Sequence, residues 1–377
     1  MGGRFPSRQS RDGHTPPFAT PLVAPPVAAP PSAHVWGEGL PPDLVYPWDP
    51  AQKRPLRWRR PFARLTALLL LVLLAAFALR AGAFMAAVST EPLWSAHLWP
   101  FADRRAANVL IMGYGGQGHE GAYLTDSLLL LHSDLPSGKT AQIAIPRDLW
   151  VQVPPDSGRY AKINSAYAYG QGDDNDPVAG GRLATTKAGQ VTGLPTDRWV
   201  TIDFRGFRAL VDALGGVEVE VERAFTAQYP ADDDPTVDPS WLTISFAAGR
   251  QRMDGETAIR YARARYSADP LEGSDFARSQ RQQRLMAAIA TRAKRPTAWW
   301  RAFGVMGALQ PALRTNLAPA DLAILALRAD LGGATRIRLD DADILVSGTS
   351  VDGQAILVPR NNDYDLITRH IQQQLPK

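Results

Sequence analysis

Two neighbouring stretches concentrate guanidinium groups: Arg263-Ala264-Arg265, and Gly273 through Arg284, which carries Arg278, Arg281, Gln282 and Arg284. Arg263 and Arg265 alternate, so in a strand both project from one face. Arg278, Arg281 and Gln282 stand at i, i+3 and i+4, so in a helix they share a face. A helix starting near Ser274 or Asp275 adds backbone N–H groups and the positive end of the macrodipole at the same place. Cations gathered there repel one another and oppose the dipole. A bound polyanion offsets that cost. A diphosphate is the natural candidate, because guanidinium forks match phosphate oxygens two bonds at a time. Spacing alone is equally compatible with a solvated basic helix after a strand.

Other candidates lie upstream. Ile145-Pro146-Arg147-Asp148 puts Arg147 just past a buried-strand pattern, where open α/β sheets bind ligands, although a surface Arg147–Asp148 turn fits too. Asp126 opens another apolar run, where a carboxylate can reach a metal or, more commonly, cap a turn. Gly113-Tyr114-Gly115-Gly116-Gln117-Gly118 is a glycine-rich loop without dinucleotide spacing, so a nucleotide reading is weak. His119 and Glu120 follow it. Asp232-Asp233-Asp234 reads as a solvated loop, since no calcium-loop spacing follows. No Ser/His/Asp arrangement stands out.

These residues need a scaffold, and the pattern predicts one. Apolar runs at Val109–Met112, Ser127–His132 and Ala141–Ile145 read as buried strands, and Arg198–Phe204 as another. Arg205–Leu214 is amphipathic and ends in Gly215-Gly216, a helix stop. Val217–Glu222 alternates as a half-exposed strand near a sheet edge. Asp254–Ile259 reads as a short helix leading to the arginine pair, and Asp275–Arg295 as a long helix. Leu322–Leu327 and Tyr364–Gln374 look helical and Ala355–Val358 strand-like. The alternation predicts one layered α/β/α sandwich around a central mixed sheet.

The chain has 377 residues, a net charge of +4 and no cysteine. Disulfides and thiolate metal sites are thereby excluded, and any metal must sit on oxygen or on the few histidines. Residues 1–62 are Pro-rich, without periodicity, and read as a disordered cytoplasmic segment. Leu65–Val88 is apolar and long enough to cross a bilayer, with Arg80 near one end able to snorkel. Lys53, Arg54, Arg57, Arg59, Arg60 and Arg64 precede it, so the positive-inside rule puts the N-terminus in the cytoplasm. The long leader favours an uncleaved anchor at 63–88 over a signal peptide. A stalk at 89–106 and an extracytoplasmic domain at 107–377 follow. The basic residues carry no DNA-binding module, so no nucleic-acid partner is expected.

In this order, the segments resemble the LytR-CpsA-Psr family of membrane-anchored cell-wall enzymes. The matching pieces include Asn108–Gly113, Thr125-Asp126-Ser127, Ile145–Asp148, Lys162–Tyr167, Val211–Val217, Met253–Ala258, Tyr261–Arg265 and Asp275–Gln283. The likeness covers roughly Ala107 to Arg295. It implies a phosphotransferase that moves a glycopolymer from a polyprenyl-diphosphate carrier to peptidoglycan or another wall acceptor, with Mg²⁺ or Mn²⁺. Arg147, Arg263, Arg265, Arg278 and Gln282 match the family's diphosphate-binding residues, with Arg281 and Asn164 as further substrate contacts. Asp126 matches a metal-linked carboxylate. Two places depart from the pattern: Gly115 stands where an Asp is usual, and Leu124 where an Arg is usual. Glu120 or His119 is the candidate substitute ligand. Alternatives are a polyprenyl-diphosphate pyrophosphatase and a non-catalytic binder of prenyl-linked wall polymers.

Overall fold

The computed structural model describes residues 59–91, 105–119, 121–234, 236–339 and 343–376. Residues 1–58, most of the expected stalk and Glu120 lie outside the described residues, and residues 59–62, expected to be disordered, lie in the first helix. Helix α1 (Arg59–Val88) is, among the described residues, the one long and apolar enough to cross a membrane by length and composition. Its side chains are exposed from Phe62 to Leu79, but Met85 and Val88 are buried. Arg80 donates from Nη1 to Gln310 Oε1 at 3.3 Å, so its guanidinium reaches a protein partner.

Strands β1 (Ala106–Tyr114), β2 (Thr125–Asp134) and β3 (Thr140–Ile145) follow as an antiparallel run. The short pair β4 (Trp150–Gln152) and β5 (Tyr160–Lys162) leads to helices α2 (Ser165–Gln171) and α3 (Pro177–Thr192). Strand β6 (Arg198–Asp203) runs into α4 (Phe204–Ala213), capped by Asp203, whose Oδ1 accepts from the Gly206 amide at 2.7 Å. Then come β7 (Val217–Val221), β8 (Phe225–Pro230), β9 (Trp241–Phe246) and β10 (Gly249–Met253). Helices α5 (Gly255–Arg263), α6 (Pro270–Gly273) and α7 (Asp275–Ala293) carry the arginines. The remainder is α8 (Pro296–Trp299), α9 (Ala302–Leu309), β11 (Leu313–Thr315), α10 (Pro319–Arg328), β12 (Thr335–Ile337), β13 (Leu345–Thr349), β14 (Ala355–Pro359) and α11 (Asp365–Gln374).

The central sheet has the order β11-β6-β1-β2-β3-β12 and is mixed: β6 runs parallel to β1 and β12 to β3, while the other pairs are antiparallel. Alternation along the strands sends residues to two cores. Leu110, Met112, Leu128, Leu130, Ile143 and Trp199 pack on one face with Ala184, Ala188 and Val191 of α3 and with Ile367 and Ile371 of α11. Val109 and Leu131 pack on the other, with Ile324 and Leu325 of α10. Gly181 lets α3 close on the sheet, because a Cβ there would lie 2.2 Å from the Trp199 ring. The layered α/β/α sandwich is therefore present.

Two local expectations change. Val217–Val221 does not edge the main sheet. It pairs with β10 and builds a separate core with α4, α5 and α7 around Val217, Val219, Met253, Tyr261 and Leu285. The helix expected to stop at Ile259 runs on to Arg263, so Arg263 and Arg265 are not strand neighbours.

Candidate active site

One cavity of about 450 Å³ opens where β1, β2, α4, the β8–β9 hairpin, α5 and α7 meet. Arg147, Arg263, Arg265, Arg278 and Gln282 all line it, with Asp126 and Asn164. They arrive from separate segments. Arg147 follows β3; Arg263 ends α5; Arg265 sits in the next turn, its carbonyl accepting from the Gln228 amide of β8 at 3.1 Å. Arg278 and Gln282 stand one helical turn apart on α7, whose cap is Ser274, its Oγ accepting from the Ala277 amide at 3.1 Å.

Asp126 is the electrostatic centre. Arg147 Nη1 lies 2.6 Å from its Oδ1. Burial by itself would raise the carboxyl, but Arg147 first, then Arg278, Arg265 and Arg263, hold it below the ordinary carboxylate value. Arg147, Arg263, Arg265 and Arg278 outnumber the lining carboxylates Asp126, Asp232 and Asp233, so the lining keeps a small net positive charge, concentrated around Asp126. The Asn164 backbone braces this end: its amide donates to the Arg147 carbonyl at 3.2 Å, and its carbonyl accepts from the Thr125 amide at 3.0 Å.

Arg263 is held by groups that spacing did not reveal. It donates to Tyr229 Oη at 3.0 Å and to Asp233, and its guanidinium lies 4.1 Å from the centre of the Phe204 ring. Asp233 also accepts from Arg208 at 2.6 Å. The acidic run expected to be solvated is thus half turned inward, with Asp232 and Asp233 on the cavity wall. Its signal in the sequence was position only: a loop between two strands returning toward the arginine pair. Trp241 and Tyr266 line the cavity as well, with ring centroids 5.6 Å apart. Ile111, Ile202, Phe204, Phe207, Leu285 and Met286 form its apolar wall.

A cavity with one strongly basic end and one apolar wall suits an amphiphilic anion. Residues 85–373 match the model of the LytR_cpsA_psr family. The chain belongs to the LytR-CpsA-Psr family. It is 32% identical over 194 residues to TagV of Bacillus subtilis (strain 168), a polyisoprenyl-teichoic acid–peptidoglycan teichoic acid transferase, covering 50% of this chain and 44% of that one. TagU of Bacillus cereus, described by the same activity, is 26% identical over 210 residues, covering 56% and 60%. The chain thus spans about half the length of these curated relatives. The crystal structure of B. subtilis TagV matches with a TM-score of 0.53 at 22% identity, covering 72% of this chain and 98% of that chain, which establishes a shared fold.

Against the LytR-CpsA-Psr pattern, one expected contact is not in the cavity. Arg281 is fully buried behind it. Its guanidinium binds Glu272 Oε2 at 2.9 Å and the carbonyls of Tyr261, Glu272 and Ala264 at 3.0, 3.0 and 2.6 Å. Arg281 therefore fastens the Tyr261–Arg265 segment to α7, which corrects its reading as a substrate contact. At Gly115, a Cβ would fall 2.3 Å from His119 Cγ, so the imidazole fills the room of the usual Asp side chain. His119 Nε2 lies 2.8 Å from Arg263 Nη2. A guanidinium only donates, so Nε2 accepts and the ring proton sits on Nδ1. That lone pair is engaged by Arg263, which argues against His119 as a substitute metal ligand. Leu124, at the usual Arg position, joins the cavity lining.

No three acidic or histidine side chains gather to hold a metal among the described residues. Asp126 is the carboxylate at the basic end. This donor set fits a Mg²⁺ ion that takes most of its ligands from substrate phosphates and water. It does not fit an ion caged by protein alone.

Proposed function

We propose that this chain is a membrane-anchored phosphotransferase that moves a glycopolymer from a polyprenyl-diphosphate carrier to peptidoglycan or another wall acceptor. The observation that carries the reading is the meeting of Arg147, Arg263, Arg265 and Arg278 around Asp126 in one cavity with an apolar wall. The relatives named for teichoic acid transfer support the same chemistry. The helix α1 is the anchor, and the basic residues before it support a cytoplasmic N-terminus with the cavity outside. Anchoring keeps the site near the lipid-borne donor and raises its effective concentration.

In this mechanism the guanidinium groups grip the two phosphates, and the apolar wall takes the first prenyl units. An acceptor hydroxyl oxygen attacks the sugar-side phosphorus. The bond to the bridging oxygen breaks, a phosphodiester forms, and prenyl phosphate leaves carrying the hydroxyl proton. The arginines stabilise the charge that develops on the transferring and leaving phosphates. Arg147 does so while oriented by Asp126, and Arg263 while oriented by Asp233, Tyr229 and His119. Asp126 would hold Mg²⁺ or Mn²⁺ together with the diphosphate, and the ion's contribution there is neutralisation of phosphate charge.

The test uses the full chain in detergent with a prenyl-diphosphate donor carrying a labelled saccharide, and wall fragments as acceptor. Label joined to wall fragments with release of prenyl phosphate supports the transferase. Prenyl phosphate release without transfer supports the pyrophosphatase. Binding without turnover, with or without Mg²⁺, refutes both.

A further inference from the structure

Helix α9 presents an apolar face outward. Phe303 and Gly304 are exposed, as is Gly307 one turn on, while Met306 is buried and Val305 packs against the same core as Phe207 and Leu210 of α4. At the turn entering α9, Trp300 is 91% exposed and Trp299 74% exposed, among the most exposed large apolar side chains described. Adjoining large aromatics in open water mark a surface that meets something else.

The anchor indicates what that is. The Phe77 ring of α1 meets the Phe303 ring edge to face, with centroids 5.9 Å apart. One turn later, Arg80 reaches Gln310 and lies beside Gly307. Moving from Phe303 to Gln310 therefore follows α1 from Phe77 to Arg80, toward the domain. Trp300 and Trp299 precede Phe303 in the chain, at the end of α9 that meets Phe77 rather than Arg80. Tryptophan is the residue type that settles at the headgroup level, with its ring in the apolar boundary and its N–H at water. Arg301, exposed beside Trp300, supplies a cation for phosphate headgroups while its Nη1 donates to the Ala213 carbonyl at 3.4 Å.

We propose that the Trp299–Trp300–Phe303 face is a lipid-contacting surface that seats the domain on the bilayer. The proposal rests on the reading of α1 as a membrane anchor. Because α9 packs on α4, whose Phe207 lines the cavity, this seat also fixes the height of the cavity above the lipid.

The chain lacks cysteine, so a single introduced thiol carries a unique label. Gly304→Cys suits a nitroxide, since a Cβ there meets nothing within 4 Å. The full chain is reconstituted in phosphatidylcholine–phosphatidylglycerol vesicles, and collisions with oxygen and with a water-soluble nickel chelate are compared. Leu71→Cys, in mid-span, and Val351→Cys, fully exposed, give the lipid and water references. The Gly304→Cys label should be shielded from nickel several-fold relative to Val351→Cys. Adding Trp299→Ala and Trp300→Ala should return it toward the water value. A Gly304→Cys label as wet as Val351→Cys, with Leu71→Cys in lipid, overturns the proposal and leaves the anchor standing. If Leu71→Cys is wet too, the anchor reading falls with it. Dipolar broadening between labels would show a second copy on this face and also overturn the proposal.

Discussion

Arg278 and Arg281 sit three residues apart on α7, yet one lines the cavity and the other is bonded to main-chain carbonyls and Glu272 behind it. Their sequence spacing is legible; their targets are not, because a helical face at i and i+3 is wide enough to straddle a cavity wall and a core. The distinction is testable. Arg281→Met should lower stability by about 3–5 kcal/mol, since it strands a half-buried carboxylate and three carbonyls, and should appear in the thermal midpoint of unfolding. An unchanged midpoint would return Arg281 to the ligand-binding set. The second residue-scale case is Gly115. The departure from the family pattern was visible in the sequence, but not that His119 had moved into the space. Gly115→Ala should push the imidazole off Arg263 and slow donor cleavage by up to about a hundredfold through misplacement of that guanidinium. Full activity in this variant would mean that His119 does not orient Arg263.

Elements that follow a continuous apolar run or a long helical segment are legible in the sequence. Strands β1, β2 and β3 occupy the continuous apolar runs that read as buried strands, β6 the run from Arg198 and α7 the run from Asp275, to within a few residues. Helices α2 and α3 are not legible in the sequence, because α3 is rich in Gly and Thr and lacks a strong apolar stripe; packing on Trp199 holds it in place. Gly181→Ala should therefore destabilise the chain by about 1–3 kcal/mol through overpacking, visible as a lower thermal midpoint. The β8–β9 connection departs from the solvated-loop expectation, because charge in a loop normally means solvent. Here burial would raise the Asp233 carboxyl, but Arg208 and Arg263 hold it below the ordinary carboxylate value. Its stabilisation is thus complete above the unfolded value, about 3.9, and is lost as pH falls through the lower folded value. Asp233→Asn should lower the midpoint at neutral pH and flatten the acid limb below about pH 4. Superimposable acid limbs would show that the pair does not contribute.

At the scale of the whole molecule, apolarity announced an anchor but not where it ends. Hydropathy cannot separate a lipid neighbour from a protein one, so the apolar run continues to Val88. In the structure, Met85 and Val88 are buried, and the exposed apolar part, Phe62 to Leu79, is roughly 27 Å long at about 1.5 Å per residue. That length suits a hydrocarbon core of about 30 Å. The cavity, likewise, belongs to no single element: β3, α5 and α7 each contribute guanidinium groups or lead into them. The account stands on those groups acting together on one diphosphate. The most direct measurement is the rate of prenyl phosphate release by the full chain carrying Arg147→Ala, Arg265→Ala or Arg278→Ala, one change at a time. Each should fall by about a hundredfold or more with cooperative unfolding retained; Arg147→Ala should also lower the thermal midpoint, because it leaves the half-buried Asp126 carboxylate without its nearest guanidinium. Wild-type rates in any two of the three would contradict the claim.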